Sequence, residues 1–387
     1  MNPLSGQRPH ILFLFSDTGG GHRSATEAII EALEMDYGGR ITTQMVDVLK
    51  QVAPQPLDRL PDWYPYMTRI PRIWGLGYQL TDGRHRTAML TRSAWPYVRQ
   101  ALRKIATQFP TDMIVSLHPL SNAPLARALR TPRPKLVTVV TDMVSTHAMW
   151  YHPGMDVCIV ATEEARQRAL RCKVDPQRVH VVGIPVADRF CQPPGEHTAL
   201  RKQLGWPLDR LVVLLMGGGE GMGPLEETAQ AIARADLPVA LVVIAGRNQK
   251  LKTRLEAQAW RMPVFVYGFV REMPDFMRAA DILVTKAGPG TISEALNAGL
   301  PLVLYNRLPG QEDGNVRFVL AEGVGVWAAT PEEIVTAVRH WLENPSIRLR
   351  VAENCLRAAR PEAAHQIAAL LATTLGVEHS AGGDAHG

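Results

Sequence analysis

Short, nearly uninterrupted apolar runs recur along this 387-residue chain and alternate with stretches of helical periodicity. Residues 11–15, 41–48, 113–117, 136–140 and 157–160 read as strands in the first half. Residues 211–216, 239–245, 264–267, 282–285 and 301–305 do so in the second. Runs that stay apolar on both faces belong to parallel sheets covered by helices on each side. The expected class is therefore α/β, with each half a Rossmann-like domain and a central cleft between them. Two of the runs lead into glycine-rich turns that open helices. The first turn is Ser16-Asp17-Thr18-Gly19-Gly20-Gly21-His22-Arg23, and the second is Gly217-Gly218-Gly219-Glu220-Gly221-Met222-Gly223-Pro224. A strand, a glycine turn and a helix start present backbone N–H groups and a positive dipole end, the local geometry that receives phosphate.

Proline and glycine set the punctuation. Residues 183–196 hold three prolines and form the best linker, which divides the chain into domains 1–190 and 191–345. A strong helical pattern over about residues 348–371 gives way to a Gly-rich polar tail, 376–387, expected to be disordered. One segment breaks the alternation: between about Pro54 and Trp95 lie Trp63, Tyr64, Tyr66, Trp74 and Tyr78, with Arg59, Arg69, Arg72, Arg84, Arg86 and Arg92 among them. Indole and phenol rings with guanidinium groups suit a lipid headgroup layer, so this segment is expected to meet a membrane or a lipid acceptor. The prolines argue against a long continuous amphipathic helix there, hence for contact through a loop. The competing reading is an insertion with its aromatic residues packed inside.

Charge sharpens the division. The net charge is +5, yet residues 1–190 carry 23 Lys/Arg against 16 Asp/Glu, leaving the remainder slightly acidic. A basic N-terminal half favours an anionic surface, and without any nucleic-acid-binding signature the partner expected is anionic membrane lipid, not nucleic acid. No apolar stretch reaches the ~18 residues that cross a bilayer, and no secretory signal is apparent. The expected location is thus the cytoplasm, peripherally on the cytoplasmic face of the membrane. Cys158, Cys172, Cys191 and Cys355 show no paired spacing, so neither zinc nor a disulfide framework is indicated.

The chemistry-bearing residues cluster after strands. Lys286-Ala287-Gly288-Pro289-Gly290-Thr291-Ile292-Ser293-Glu294 follows the run 282–285; its glycines let backbone approach an anion, and the helix beginning near Thr291 aims its positive end there. Glu294 is placed either to accept ribose hydroxyls or, through Thr291-x-x-Glu294, to complete a capping box. Ser24-x-x-Glu27 is read as capping alone. Gln311, Glu312 and Asn315, in the loop after 301–305, supply donors and acceptors suited to hexose hydroxyls, or else form a polar turn. His22 is expected to project into the cleft as a general base, helped to stay neutral by the helix start, with Asp17 orienting it or sharing its work. His118, Asp142 and His147 follow strand ends in the same half and are candidate acceptor-site or orienting groups. No tight His or carboxylate pairing suggests a metal, and no Asp-x-Asp occurs.

Taken in order, Ser16 to Arg23, Thr141-Asp142 with Ser145-Thr146-His147, His152-Pro153-Gly154, Met216 to Pro224, Lys286 to Glu294, and Pro309-Gly310-Gln311-Glu312-x-Gly314-Asn315 resemble the monogalactosyldiacylglycerol synthase family. That family is related to the peptidoglycan lipid-linked N-acetylglucosaminyltransferase and to bacterial diacylglycerol glucosyltransferases. The resemblance implies the glycosyltransferase B (GT-B) fold, with the acceptor in the first domain, UDP-sugar in the second, and a C-terminal helix over 346–375 crossing back to the first. It further implies His22 as catalytic base, Glu294 as ribose ligand, Gln311 and Glu312 as hexose ligands, and a loop from Gly217 over the diphosphate. Asp313 stands where a small residue is common in the family.

The expected reaction is inverting transfer of a hexose, galactose favoured, from UDP-hexose to 1,2-diacylglycerol, with no cofactor or metal. Lys286 and the helix start near Gly290 would stabilise the leaving UDP. The alternatives are a glucose donor, a lipid-linked N-acetylglucosamine acceptor reaction, a UDP-sugar 2-epimerase and a non-catalytic lipid-binding module.

Overall fold

Twelve strands form two sheets of six in a computed structural model, which describes residues 8–17, 20–55, 57–59, 62, 71–129, 132–192 and 197–378. The first sheet contains β1 (His10–Phe15), β2 (Thr42–Asp47), β3 (Met113–Ser116), β4 (Lys135–Val139), β5 (Val157–Val160) and β6 (Val179–Val181), in the spatial order β2-β1-β3-β4-β5-β6. The second contains β7 (Leu211–Met216), β8 (Val239–Ile244), β9 (Val264–Tyr267), β10 (Ile282–Lys286), β11 (Leu302–Asn306) and β12 (Gly325–Trp327), ordered β12-β11-β10-β7-β8-β9. Every pairing in both sheets is parallel. The two strands that sequence pattern does not show, β6 and β12, are three-residue edge strands.

Side-chain alternation explains why the strands are apolar throughout. Ile11 and Phe13 face one core with Ala25, Ile29 and Leu33 of the helix Gly21–Tyr37 and Ile367 and Leu371 of the helix Ala363–Leu375. Their neighbours Leu12 and Leu14 face a second core with Leu102, Ile105 and Leu125. In the other sheet Val213, Leu215, Leu241 and Val243 pack against Ala229, Ile232, Ile334 and Trp341.

The chain falls into two units, one of Met1–Asp188 with Pro309–Gln311 and Glu362–Gly387, the other of Arg189–Leu308 with Glu312–Pro361. In each, the first strand gains its later neighbour on the opposite side from its earlier one: β1 lies between β2 and β3, and β7 lies between β8 and β10. Such a switch point opens a crevice at the carboxyl ends of the two central strands, where ligands bind in open α/β sheets. The crevice residues therefore follow β1 and β3 in one unit, β7 and β10 in the other.

Local signals corrected several expectations. The C-terminal pattern is two helices, Pro345–Ala358 and Ala363–Leu375, because Pro361 interrupts it. The tail from residue 379 lies outside the described residues. Ser24 does not cap its helix, which starts a turn earlier at Gly20 in the left-handed region; the Ser24 hydroxyl donates back to the Gly20 carbonyl at 3.2 Å. A capping box does form at Thr330 and Glu333. Contrary to the expected loop, residues after 70 form the helix Pro71–Thr81 and the 25-residue helix Arg84–Gln108, which continues through Pro96.

Candidate active site

In the first unit, β1 and β3 deliver two imidazoles to the switch point. His22 sits in the first turn of its helix and His118 stands at the N-terminal boundary of the helix Pro119–Ala128; their rings meet edge to face with centroids 5.3 Å apart. Thr141, just beyond β4, places its hydroxyl 2.8 Å from His22 Nδ1. Burial pulls the His22 pKa down to about 4, and a hydrogen bond to the Leu117 carbonyl works against that. The imidazole is thus neutral at pH 7, with the Leu117 carbonyl taking a ring N–H. His118 is pushed well below the usual imidazole value by burial and then by His22, and its Nδ1 has no hydrogen-bond partner among the described residues.

Asp17 has strong partners other than His22. Its carboxylate receives the Arg23 guanidinium at 3.1 and 2.9 Å, and its N–H donates to Asp47. Thr141 takes the orienting position that sequence reasoning gave to Asp17. Asp142 accepts the Trp150 indole N–H at 2.7 Å, which fixes the ring that tilts against His22 with centroids 6.0 Å apart. His147 is engaged structurally: Nδ1 accepts the Met149 N–H, Nε2 lies 3.2 Å from the Thr81 hydroxyl, and Tyr78 stacks edge-on against the ring. Of the aromatic candidates for lipid contact, Trp63 and Tyr64 lie outside the described residues and Trp74 is half-buried. Trp95 packs onto the core with Arg127 over its ring. What stands exposed instead are Ile73, Leu76 and Leu80, at helical spacing on one face of Pro71–Thr81, with Met89 and Tyr97 on the next helix. Their i, i+3, i+7 periodicity was the signal that could have found them.

In the second unit, β7 runs into the turn 217–223 and β10 into the helix Pro289–Asn297, whose N-cap is Gly288. Gly221 has φ +60°, and a Cβ there would lie 2.1 Å from the Ala245 carbonyl oxygen, so only glycine lets the turn seat on the end of β8. Lys286 lies between the two glycine features: a Cβ on Gly218 would be 3.4 Å from its Cε, and one on Gly288 would be 3.1 Å from its Nζ. Gly290 faces open space. The backbone N–H groups of Gly290 and Thr291 lie in the first turn, where no carbonyl of the same helix can reach them. An ammonium, a helix start and a glycine turn converge here on one point, an arrangement complementary to a diphosphate.

Glu312 and Asn315 support this cradle rather than lining it. Glu312 is buried, with Oε1 accepting from Lys286 Nζ at 2.9 Å and Oε2 from the Leu308 N–H at 2.7 Å. Asn315 is buried and donates to the Ala287 carbonyl at 2.9 Å. Gln311 packs with the first unit as part of Pro309–Gln311. Thr291 lies inside the helix rather than at its N-cap, so Glu294 is not in a capping box. Its carboxyl makes no hydrogen bond among the described residues, and burial pushes its pKa up to about 7 against the pull of Arg189. Among the described residues no three His, Cys, Asp or Glu side chains gather as a metal site.

Two parallel six-stranded sheets, each with its crevice at a switch point, give the GT-B fold. Residues 22–186 match the family model described as monogalactosyldiacylglycerol (MGDG) synthase, and residues 196–357 match glycosyl transferases group 1. The chain is 38% identical to the probable monogalactosyldiacylglycerol synthase 2, chloroplastic, of Oryza sativa subsp. japonica, over 92% of this chain and 79% of that protein. It is 35% identical to the monogalactosyldiacylglycerol synthase 1, chloroplastic, of Arabidopsis thaliana, over 95% and 71% respectively. The chain belongs to the monogalactosyldiacylglycerol synthase family and is a UDP-sugar glycosyltransferase of that type. In fold it is similar to the crystal structure of Acinetobacter baumannii MurG, with a TM-score of 0.61 and 17% identity over 94% of this chain and 99% of that one.

Proposed function

We propose that this enzyme transfers galactose from UDP-galactose to the free hydroxyl of 1,2-diacylglycerol, inverting the anomeric carbon to give a β-galactolipid. The observation that carries the reading is Lys286, held between the Gly218 turn and the Gly288 helix start, where a leaving diphosphate needs positive charge. Neutral His22 accepts the hydroxyl proton as the acceptor oxygen bonds to the anomeric carbon. The bond from that carbon to the diphosphate oxygen breaks, and its electron pair leaves with UDP. Glu294 takes the ribose, and Gln311 the hexose; Glu312 acts through Lys286. The choice of galactose follows the names borne by the relatives at 35–38% identity.

The acceptor reaches the first unit from a membrane surface, through the apolar face of Pro71–Thr81 and the basic residues around it. Among the described residues no helix is long and apolar enough to cross a membrane. Radiolabelled UDP-galactose, UDP-glucose and UDP-N-acetylglucosamine, each offered with diacylglycerol in mixed micelles, test the proposal. Label should enter the lipid phase from UDP-galactose at least about tenfold faster than from the others, a discrimination of the size one mispaired hydroxyl allows. Equal or faster use of UDP-glucose would replace galactose by glucose.

A further inference from the structure

A buried phenol lies next to the donor crevice. Tyr305 lies near the end of β11, 4% exposed, and its hydroxyl oxygen meets two carbonyls of the glycine turn, Met216 O at 3.1 Å and Met222 O at 2.9 Å. These carbonyls bracket the turn, so one hydroxyl, its single proton shared between them, ties together both of its ends. Burial pushes the phenol pKa far above the physiological range, which keeps the hydroxyl a donor at any working pH. The chain also passes hard against the ring: Gly223 has φ +99°, and a Cβ there would lie 2.5 Å from Tyr305 Cε2.

A trans, planar peptide points its N–H away from its carbonyl. With both carbonyls drawn toward Tyr305, the N–H groups of Gly217 and Gly223 are therefore directed away from it. Neither makes a hydrogen bond among the described residues, whereas the Gly221 and Met222 N–H groups are closed within the turn at 3.0 Å each. The turn thus keeps two unsatisfied donors on the side opposite its clamp.

We infer that Tyr305 is a positioning residue for the donor diphosphate, its hydroxyl holding the turn so that the Gly217 and Gly223 N–H groups face the phosphates. This rests on the reading that the turn grips the donor's diphosphate. Tyr305 itself touches no substrate.

Calorimetric titration of UDP and of uridine into the wild type, Tyr305→Phe and Lys286→Ala, with the thermal midpoint of each, tests it. Tyr305→Phe should bind UDP about tenfold more weakly, keep uridine within about twofold, and keep its midpoint within a few degrees. If Lys286→Ala loses UDP affinity while Tyr305→Phe does not, the inference is overturned and the donor reading stands. A lowered midpoint with an unchanged UDP-to-uridine ratio shows a purely structural tyrosine and overturns it too. If the wild type binds UDP no better than uridine and Lys286→Ala changes nothing, the donor reading itself falls and takes the inference with it.

Discussion

Lys286 Nζ lies 2.9 Å from Glu312 Oε1, and the second oxygen of the same carboxylate is held by the Leu308 N–H at 2.7 Å. The pair makes a lysine of fixed aim out of a flexible one, because a buried carboxylate anchored to backbone cannot follow the ammonium into solvent. Glu312→Gln keeps the shape and removes the charge. It should raise the KM for UDP-sugar about tenfold, by releasing Lys286, with a smaller change in kcat. Glu312→Ala should do the same and also lower stability, since it leaves the Leu308 N–H unpaired. Steady-state kinetics at varied donor concentration separate the two parameters; a fall in kcat alone would assign Glu312 to the reacting sugar instead.

The His22 ring is held by the Thr141 hydroxyl and is partly open to solvent. General-base contributions are typically about 10²–10⁴-fold, so His22→Ala should reduce turnover by about a thousandfold while UDP binding survives. Thr141→Val should cost less, about tenfold, since it frees the ring without removing the base. Unchanged turnover in His22→Ala would remove this residue from the chemistry.

How much of this was legible in the sequence depends on the range of the interaction. All ten expected strands appear, because apolar runs are local signals, and the glycine turns after β1, β7 and β10 are equally local. Thr141 was hidden as the partner of His22 because 119 residues separate them and only the order β1-β3-β4 brings them together. Asp17 looked like the natural orienter by proximity, but Arg23, six residues further on, offers a bidentate charge partner and takes it. Glu312 looked like a sugar ligand because carboxylates favour hydroxyls; what overrode this was a lysine 26 residues earlier on the neighbouring strand. β6 and β12 stayed invisible because three residues at a sheet edge carry too little periodicity.

Glu294 should give donor binding a pH dependence of its own. With the carboxyl pushed up to about 7 by burial, it is protonated below that value and becomes a full acceptor above it. The KM for UDP-sugar should therefore fall as pH rises through about 7, and Glu294→Gln should raise KM and flatten the profile. A pH profile in the variant matching that of the wild type would move ribose recognition elsewhere.

Acid should weaken the first unit. His22 titrates near 4 in the folded chain against an ordinary 6.5, and His118, His147 and His152 are also lowered, each chiefly by burial. Between these values the unfolded chain binds protons that the folded chain does not, so stability rises with pH there and is lost as pH falls from about 6.5 toward 4. For His22 this amounts to at most about 3 kcal/mol, less whatever solvent restores at its exposed rim. His365 acts oppositely: burial lowers its pKa, but the hydrogen bond and charge of Asp36 prevail and raise it, so its contribution is present in acid and lost as pH rises through the raised value. Thermal midpoints measured from pH 7 to 4.5 should fall, and less steeply in His22→Gln.

Membrane attachment should depend on three side chains and on charge. Ile73 is 65% exposed, Leu76 58% and Leu80 62%, on a helix whose other face is tied down by Tyr78 on His147 and, just beyond it, by Asp82 on Arg168. Each apolar side chain fully withdrawn from water is worth about 1.5–3 kcal/mol, more than enough together for reversible adsorption. Exposed Arg72, Arg84, Arg86 and Arg92 lie on this helix and the next, and their charge would favour anionic lipid. In vesicle sedimentation, Ile73→Ser combined with Leu76→Ser and Leu80→Ser should lower binding at least about tenfold. Raising salt should weaken the wild type on anionic vesicles far more than on neutral ones, because screening acts on the arginines and not on the apolar face. Turnover of a short-chain diacylglycerol presented in micelles should survive in the triple variant, since its catalytic groups are untouched. Vesicle binding equal to that of the wild type would place the lipid-facing surface on another part of the chain.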